Sequence, residues 1–321
     1  MGDVSLSVII PFYQRKPGLL IRAVRSALTQ KDFDDFDIIV VDDGSPRAAS
    51  DELAPLLQHY PEKLSVILQE NLGPGMARNR GLDHLPKTRK YVAFLDSDDT
   101  WTPDHLKNAL SVLHRGYDFY FSNLYHVGRN ISAFDREQKI KFPNRLRPHE
   151  MTALEGLPEK YEFTGDMFDR ILFSGNILLP PTVVYDFQKF PNQRFQPDYH
   201  YMGEDYLFFA DIALANPRYG FSWTPEVHCG RGVNIFVNSG WGSQHYLDRL
   251  CDEMRFRRYA ENTYSLTPEQ KDKNNQVIRR IREDFKKGLL SHLKRGQFHK
   301  LAKIPKMQKS DGHFYKSFSG Q

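Results

Sequence analysis

Cysteine is nearly missing, with only Cys229 and Cys251 in 321 residues. Two isolated thiols make neither a disulfide framework nor a CxxC metal pattern, so a reducing compartment, the cytoplasm, is expected. Long apolar runs are missing too, and none approaches the ~18 residues that a membrane-spanning helix needs. The start, Met1-Gly2-Asp3-Val4-Ser5-Leu6, has no basic stretch ahead of an apolar one, so no signal peptide is read. Gly2 also lacks the downstream Ser or Thr of a myristoylation signal. The net charge of +4 is too small to point to a nucleic-acid partner. No GxGxxG follows the first strand pattern, which argues against a nicotinamide-linked dehydrogenase. There is no internal repeat.

What remains is ordinary globular composition, 40% apolar and 26% charged, with a high aromatic share of 13% that suits both cores and flat ligands. Over the first ~110 residues, strand and helix patterns alternate. Leu6 to Ile10 is a β-branched run ended by Pro11; Leu19 to Thr29 has helical spacing. Asp37 to Val41 reads as a second strand, Asp51 to Tyr60 as a helix despite Pro55, and Leu64 to Leu68 as a third strand. Gly73-Pro74-Gly75 opens a helix through Arg80, and Tyr91 to Leu95 is a fourth strand. Such alternation predicts an α/β fold with a mainly parallel sheet and ligands at the carboxyl ends of its strands. Two acidic clusters fall at such ends: Asp42-Asp43 and Asp96-Ser97-Asp98-Asp99.

Beyond ~115 the pattern loosens. Tyr117 to Leu124 reads as a strand, Ile177-Leu178-Leu179 precedes a Pro180-Pro181 break, and Glu204 to Ala215 is a helix. The glycine-rich stretch from Gly230 to Gly242 carries Trp241, as a loop with one large contact residue would. From 246 onward the chain is helical and basic. Val277, Ile278, Ile281, Phe285, Leu289 and Leu293 form an apolar stripe among Arg279, Arg280, Arg282, Lys286 and Lys287. Three uses fit that stretch: a solvated amphipathic helix packed on the catalytic domain, a homo-oligomer surface, or an interfacial helix on an anionic membrane.

Crowded carboxylates stay ionised only with a cation or donors beside them. Hard oxygen ligands suit Mg²⁺ or Mn²⁺, which bridge to a diphosphate. The competing reading of the Asp96 to Asp99 segment is a turn of capping aspartates before the helix at Asp104.

Four segments resemble family 2 glycosyltransferases with the GT-A fold in their order and spacing. They are Ser7 to Tyr13, Val41 to Ser45, Asn71 to Asn79 and Phe94 to Asp99. Gly203-Glu204-Asp205-Tyr206, ahead of a helix, resembles the acidic motif where that family places its general base. The resemblance spans roughly residues 5–235 and implies a metal-dependent, inverting transfer. A sugar would move from a nucleotide-sugar donor, UDP-linked by expectation, to a saccharide or lipid-linked acceptor in surface polysaccharide or glycolipid synthesis. It implies that Pro11 and Tyr13 pack on the nucleotide, that Asp42 accepts from the base, and that Arg78 meets base or phosphate oxygens. Asp96 and Ser97 would contact the donor, Asp98 would be the principal metal ligand with Asp96 beside it, and Asp205 would be the base. A third ligand, a His downstream of the acidic motif, falls on His228, while the usual spacing counted from Pro225 lands nearer Asn234; His245 is a weaker substitute. Phe173 to Asn176, Pro180 to Thr182 and Phe195 to Tyr199 lie where acceptor contacts are expected, and they depart from the common pattern.

Residues 1–245 are thus expected as a GT-A catalytic domain, with a nucleotide-sugar-binding half (1–110) and an acceptor-binding half (111–245). Residues 246–321 are expected as a basic helical extension. The enzyme is expected in the cytoplasm, with a peripheral contact at the inner membrane face through that extension. Two alternatives remain: a nucleotidyltransferase, for which only Gln14-Arg15-Lys16-Pro17-Gly18 is faintly suggestive, and a non-catalytic sugar-nucleotide-binding protein.

Overall fold

A computed structural model describes residues 5–14, 16–135, 146–230 and 239–315. The chain falls into two compact units, one within Met1–Gln196 and Phe208–Val233, the other within Pro197–Leu207 and Asn234–Gln321. The short segment 197–207, which carries Asp205, groups with the second unit.

The first unit is built on strands β1 (Leu6–Phe12), β2 (Phe36–Asp43), β3 (Leu64–Gln69), β4 (Tyr91–Phe94), β5 (Thr100–Trp101), β6 (Phe119–Tyr125), β7 (Met151–Ala153), β8 (Lys160–Phe163), β9 (Val183–Asp186) and β10 (Tyr219–His228). Among the described residues they form one sheet in the order β3-β2-β1-β4-β9-β6-β10-β8-β7, with β5 paired to β10. β3, β2, β1 and β4 run parallel, as do β6 and β10, whereas β9 is antiparallel to both β4 and β6. Every residue of β1 and β2 is buried, as expected of parallel strands covered on both faces.

Helices α1 (Leu20–Leu28), α2 (Ala49–His59), α3 (Pro74–Asp83) and α4 (His105–Leu113) flank the sheet. α1 buries Leu20, Ala23, Val24 and Ala27 at helical spacing, with Leu28 half-buried. A single turn, α5 (Met167–Asp169), and α6 (Glu204–Leu214) follow; the first turn of α6 is grouped with the second unit.

The second unit holds α7 (Tyr246–Thr263), α8 (Pro268–Lys294) and α9 (Lys303–Ser310). Thr267 starts α8 with a capping box: its Oγ1 accepts from Gln270 N at 3.2 Å, and Gln270 Oε1 accepts from Thr267 N at 3.1 Å. The stripe read from the sequence turns inward. Ile278, Ile281, Phe285 and Leu289 are buried with Leu247, Leu250, Cys251, Met254, Met307 and Phe314, and Val277 and Leu293 pack at the edge. The stripe is thus buried within the second unit itself, a packing partner not among the three considered. No described helix is long and apolar enough to cross a membrane.

Strands β7 to β10 escaped the sequence reading for local reasons. β9 has four residues and directly follows the 3₁₀ turn Pro180–Thr182, so the Pro-Pro pair reads as an ending. β10 is broken by Trp223-Thr224-Pro225, and its register against β6 shifts on both sides of Pro225. Proline is tolerated in a strand at such irregularities because no ladder N–H is required there.

β10 also carries Glu226, only 1% exposed. One of its oxygens accepts from Tyr120 OH at 2.8 Å and meets His105 Nδ1 at 3.0 Å. The other accepts from Asn108 Nδ2 at 2.7 Å, with Lys160 Nζ at 3.8 Å. This carboxylate ties α4, β6 and β8 to β10. Removing it strands the buried Lys160 and three polar groups, so Glu226→Ala is expected to cost about 3–5 kcal/mol of stability. Urea unfolding measures this, and a loss below about 1 kcal/mol would show that the surrounding groups repair themselves.

Candidate active site

Parallel pairing sets the carboxyl ends of β1, β2 and β4 side by side, with Phe12 opposite Asp42 and Ile9 opposite Phe94. Pro11 lies within the last residues of β1 rather than ending it and Tyr13 follows the strand, Asp42 and Asp43 end β2, and Leu95 to Asp99 continue from β4. The four sequence motifs of the first hundred residues therefore converge on one edge.

Local hydrogen bonds explain why the loops there are shaped as they are. Asp42 is buried; its Oδ1 accepts from Ser45 N at 2.8 Å and its Oδ2 from Ala49 N at 2.7 Å, the first residue of α2. This side chain thus caps a helix that has no cap residue of its own. Asp43 does the same for the next loop, accepting from Leu72 N at 2.8 Å, Gly73 N at 2.9 Å and Gln69 Nε2 at 2.6 Å. Gly73 has φ of 92°, a left-handed backbone that only glycine adopts readily, and Pro74 then starts α3.

α3 presents Arg78. Its Nη2 donates to Asp96 Oδ1 at 2.6 Å, and its guanidinium lies over the Phe195 ring at 5.2 Å. The Arg78 side chain is 5% exposed against 32% for Asp96, so the pair sits at the mouth of the site with the carboxylate outermost. Asn79 clamps Phe195 by a reciprocal pair of 2.8 Å bonds to its backbone N–H and C=O. Phe195 itself stacks on Phe208, with ring centroids 4.1 Å apart, and so is a core residue. Asn176 and Thr182 likewise spend side-chain bonds on Leu178 and Leu179.

Burial alternates along the acidic segment: Asp96 and Asp98 are half-buried, Ser97 and Asp99 buried. Ser97 Oγ accepts from Gln14 Nε2 at 2.9 Å, and Gln14 is tied to Ser45 through its backbone N and O. Gln14 thus joins the β1 loop to both acidic clusters, and Gln14 Oε1 is buried without a partner. Asp99 accepts from Gly230 N at 2.7 Å. Burial, then the charges of Asp96 and Asp98, hold the Asp99 carboxyl well above the usual carboxylate range.

His228 is placed one residue beyond this segment, because it pairs with Thr100 across the β10–β5 ladder. Its exposed ring stacks on Tyr125 with centroids 5.4 Å apart. Among the described residues, no three His, Cys, Asp or Glu side chains are gathered as a metal cluster. Two half-open carboxylates nevertheless suit Mg²⁺ or Mn²⁺, which bind through one or two carboxylates and take the remaining oxygens from phosphates and water. Asn234 lies outside the described residues. His245 stacks on Tyr201, which meets its Nδ1 at 2.8 Å.

Asp205 opens α6 and is half-buried, with its Oδ1 accepting from Tyr206 N at 2.9 Å. Burial, then the Asp205 charge, push the Tyr206 phenol well above its ordinary range, so it stays protonated. Gln14, Asn79 and Gly230 were named only as members of longer segments, with no role read for them, and Glu226 was not named from the sequence. Each acts through a partner about 80 residues away or more, and no local pattern encodes that.

Residues 7–171 match the family profile described as glycosyl transferase family 2. The chain is 36% identical over 268 residues to the succinoglycan biosynthesis protein ExoW of Rhizobium meliloti (strain 1021), covering 81% of this chain and 76% of that one. Two solved structures share the fold. TarS 1–349 of S. aureus, in complex with UDP-GlcNAc, has TM-score 0.54 and 20% identity over 97% of this chain and 80% of that one. The mannosyltransferase PcManGT of Pyrobaculum calidifontis, in complex with GDP-Man and Mn²⁺, has TM-score 0.53 and 14% identity over 97% of this chain and 87% of that one. The mixed sheet flanked by helices is the GT-A architecture.

Proposed function

Because the chain belongs to glycosyl transferase family 2 and is a glycosyltransferase, we propose that its strand-end site binds a UDP-linked sugar with a divalent cation. The sugar is transferred with inversion to a saccharide or lipid-linked acceptor in surface polysaccharide synthesis. One observation carries this reading: Arg78 holds Asp96 beside the half-open Asp98 at the meeting of three parallel strand ends. Relatives support it, one named for succinoglycan biosynthesis and one fold neighbour holding UDP-GlcNAc.

In this reading Asp98 and Asp96 would hold Mn²⁺ or Mg²⁺, with His228 as a third ligand. When bound, the cation offsets negative charge on the departing nucleoside diphosphate. Arg78 orients Asp96 by a charge-assisted bond. Pro11 and Tyr13 border the nucleotide, and Ser97, held by Gln14, shapes the floor beneath it. Asp42 would meet the base through lone pairs left over from its two backbone bonds. Asp205 would take the proton of the acceptor hydroxyl as that oxygen attacks the anomeric carbon, while the bond to the diphosphate oxygen breaks. A single displacement of this kind inverts the configuration.

Thermal unfolding with UDP, GDP and CMP, each with and without Mn²⁺, tests the donor site. UDP with Mn²⁺ at about 100 times its Kd is expected to raise Tm by roughly 5 °C, since ligand binding to the folded state alone contributes about 2.7 kcal/mol. Equal, negligible shifts for all three nucleotides would overturn the reading. Binding without release of UDP from any UDP-sugar, across a panel of saccharide acceptors, would instead favour a non-catalytic binding protein.

A further inference from the structure

Asp99 is the one member of the acidic segment to which the reaction assigns no contact, and the residue is 5% exposed, whereas Asp96 and Asp98 are half-buried. It accepts from Gly230 N at 2.7 Å, across 131 residues of sequence. Gly230 is also pressed onto the neighbouring peptide: a Cβ there would lie 1.8 Å from the Asp98 carbonyl oxygen and 2.7 Å from its carbon. Only glycine allows this approach, because any side chain would have to displace backbone.

Two further bonds hold the segments in place. Asp99 N donates to Asp96 O at 3.0 Å, closing the turn, and Cys229 N donates to Tyr125 O at 2.9 Å, fixing the end of β10. The Asp98–Asp99 peptide is therefore held from both sides. Its carbonyl faces Gly230, its N–H closes the turn, and the carboxylate that follows it grips Gly230 N.

We propose that Asp99 and Gly230 form a clasp that positions the Asp98 carboxylate for the cation. Fixing this peptide plane fixes ψ of Asp98, and with it the direction in which the Asp98 side chain leaves the backbone. Asp99 is a positioning residue in this scheme, acting through the backbone, and the end of β10 is its anchor. The inference rests on the donor-site reading above.

The test compares Asp99→Ala, Asp99→Asn and Gly230→Ala by calorimetric titration of UDP with and without Mn²⁺. Asn keeps the oxygen that Gly230 N needs but not the charge. Positioning therefore predicts that Asp99→Ala and Gly230→Ala weaken Mn²⁺-dependent UDP binding roughly tenfold or more, with metal-free UDP binding unchanged. Asp99→Asn should stay within about threefold of the unsubstituted protein. If Asp99 served only through its charge, Asn would be as damaging as Ala, and that result overturns the clasp, as does an unaffected Asp99→Ala. Should Asp99→Ala fail to fold, hydrogen exchange of the Gly230 amide in the unsubstituted protein decides. Protection that increases on adding Mn²⁺ and UDP supports the clasp, and exchange at the intrinsic rate overturns it. Absence of Mn²⁺-dependent UDP binding in the unsubstituted protein removes the donor-site reading itself, before any variant is compared.

Discussion

Asp98→Ala is expected to remove Mn²⁺-dependent UDP binding, lowering affinity roughly a hundredfold or more. Loss of a group that merely supports a metal ligand typically costs ten- to a hundredfold, so loss of the principal ligand should exceed that. The turn itself should survive. Three bonds that shape it run through neighbours and remain: Asp99 N to Asp96 O, Gly230 N to Asp99, and Gln14 to Ser97. Circular dichroism should therefore be unchanged while the calorimetric signal with Mn²⁺ disappears. A variant that still binds UDP as tightly with Mn²⁺ as the unsubstituted protein would remove Asp98 from the metal assignment. Asp96→Ala separates the two carboxylates: it also removes the ion-pair partner at 2.6 Å from the buried Arg78 guanidinium, so metal-free nucleotide binding should change as well.

Asp205→Asn should leave nucleotide affinity within about twofold yet slow transfer by roughly 10²–10⁴, the range that a general base contributes. Asn is suitable because its Oδ1 still accepts from Tyr206 N, the bond that Asp205 makes at 2.9 Å at the head of α6. What it cannot do is take a proton. The measurement is release of UDP from the donor that gives the largest thermal shift, in the presence of acceptor. Turnover in the variant close to that of the unsubstituted protein would sink the base assignment. A loss of nucleotide affinity equal to the loss of rate would make Asp205 a binding group instead.

The pattern of Leu6 to Ile10, Asp37 to Val41 and Tyr91 to Leu95 determined that parallel strands lie in the first hundred residues. Pro11, Asp42-Asp43 and Asp96 to Asp99 determined which ends carry polar chemistry. The stripe from Val277 to Leu293 determined that a long amphipathic helix exists. These are local signals, because side-chain alternation and the helical repeat are properties of neighbouring residues.

Only the tertiary structure decided what each polar group does. In the sequence Asp42 and Asp43 are alike, yet one caps α2 and the other pins the loop before α3. Asp96 and Asp99 are alike too, yet one faces Arg78 at the mouth and the other grips Gly230 from within. Their partners lie 18 and 131 residues away, and the partners of Glu226 lie more than a hundred away on α4 and β6. Whether the apolar stripe met a core, a second copy or a membrane was also open until Met307 and Phe314 were seen packed in one cluster with it. A hydrogen bond or a buried face is completed by whatever the fold brings opposite. Sequence fixes the donors, acceptors and apolar faces on offer, and topology selects their partners.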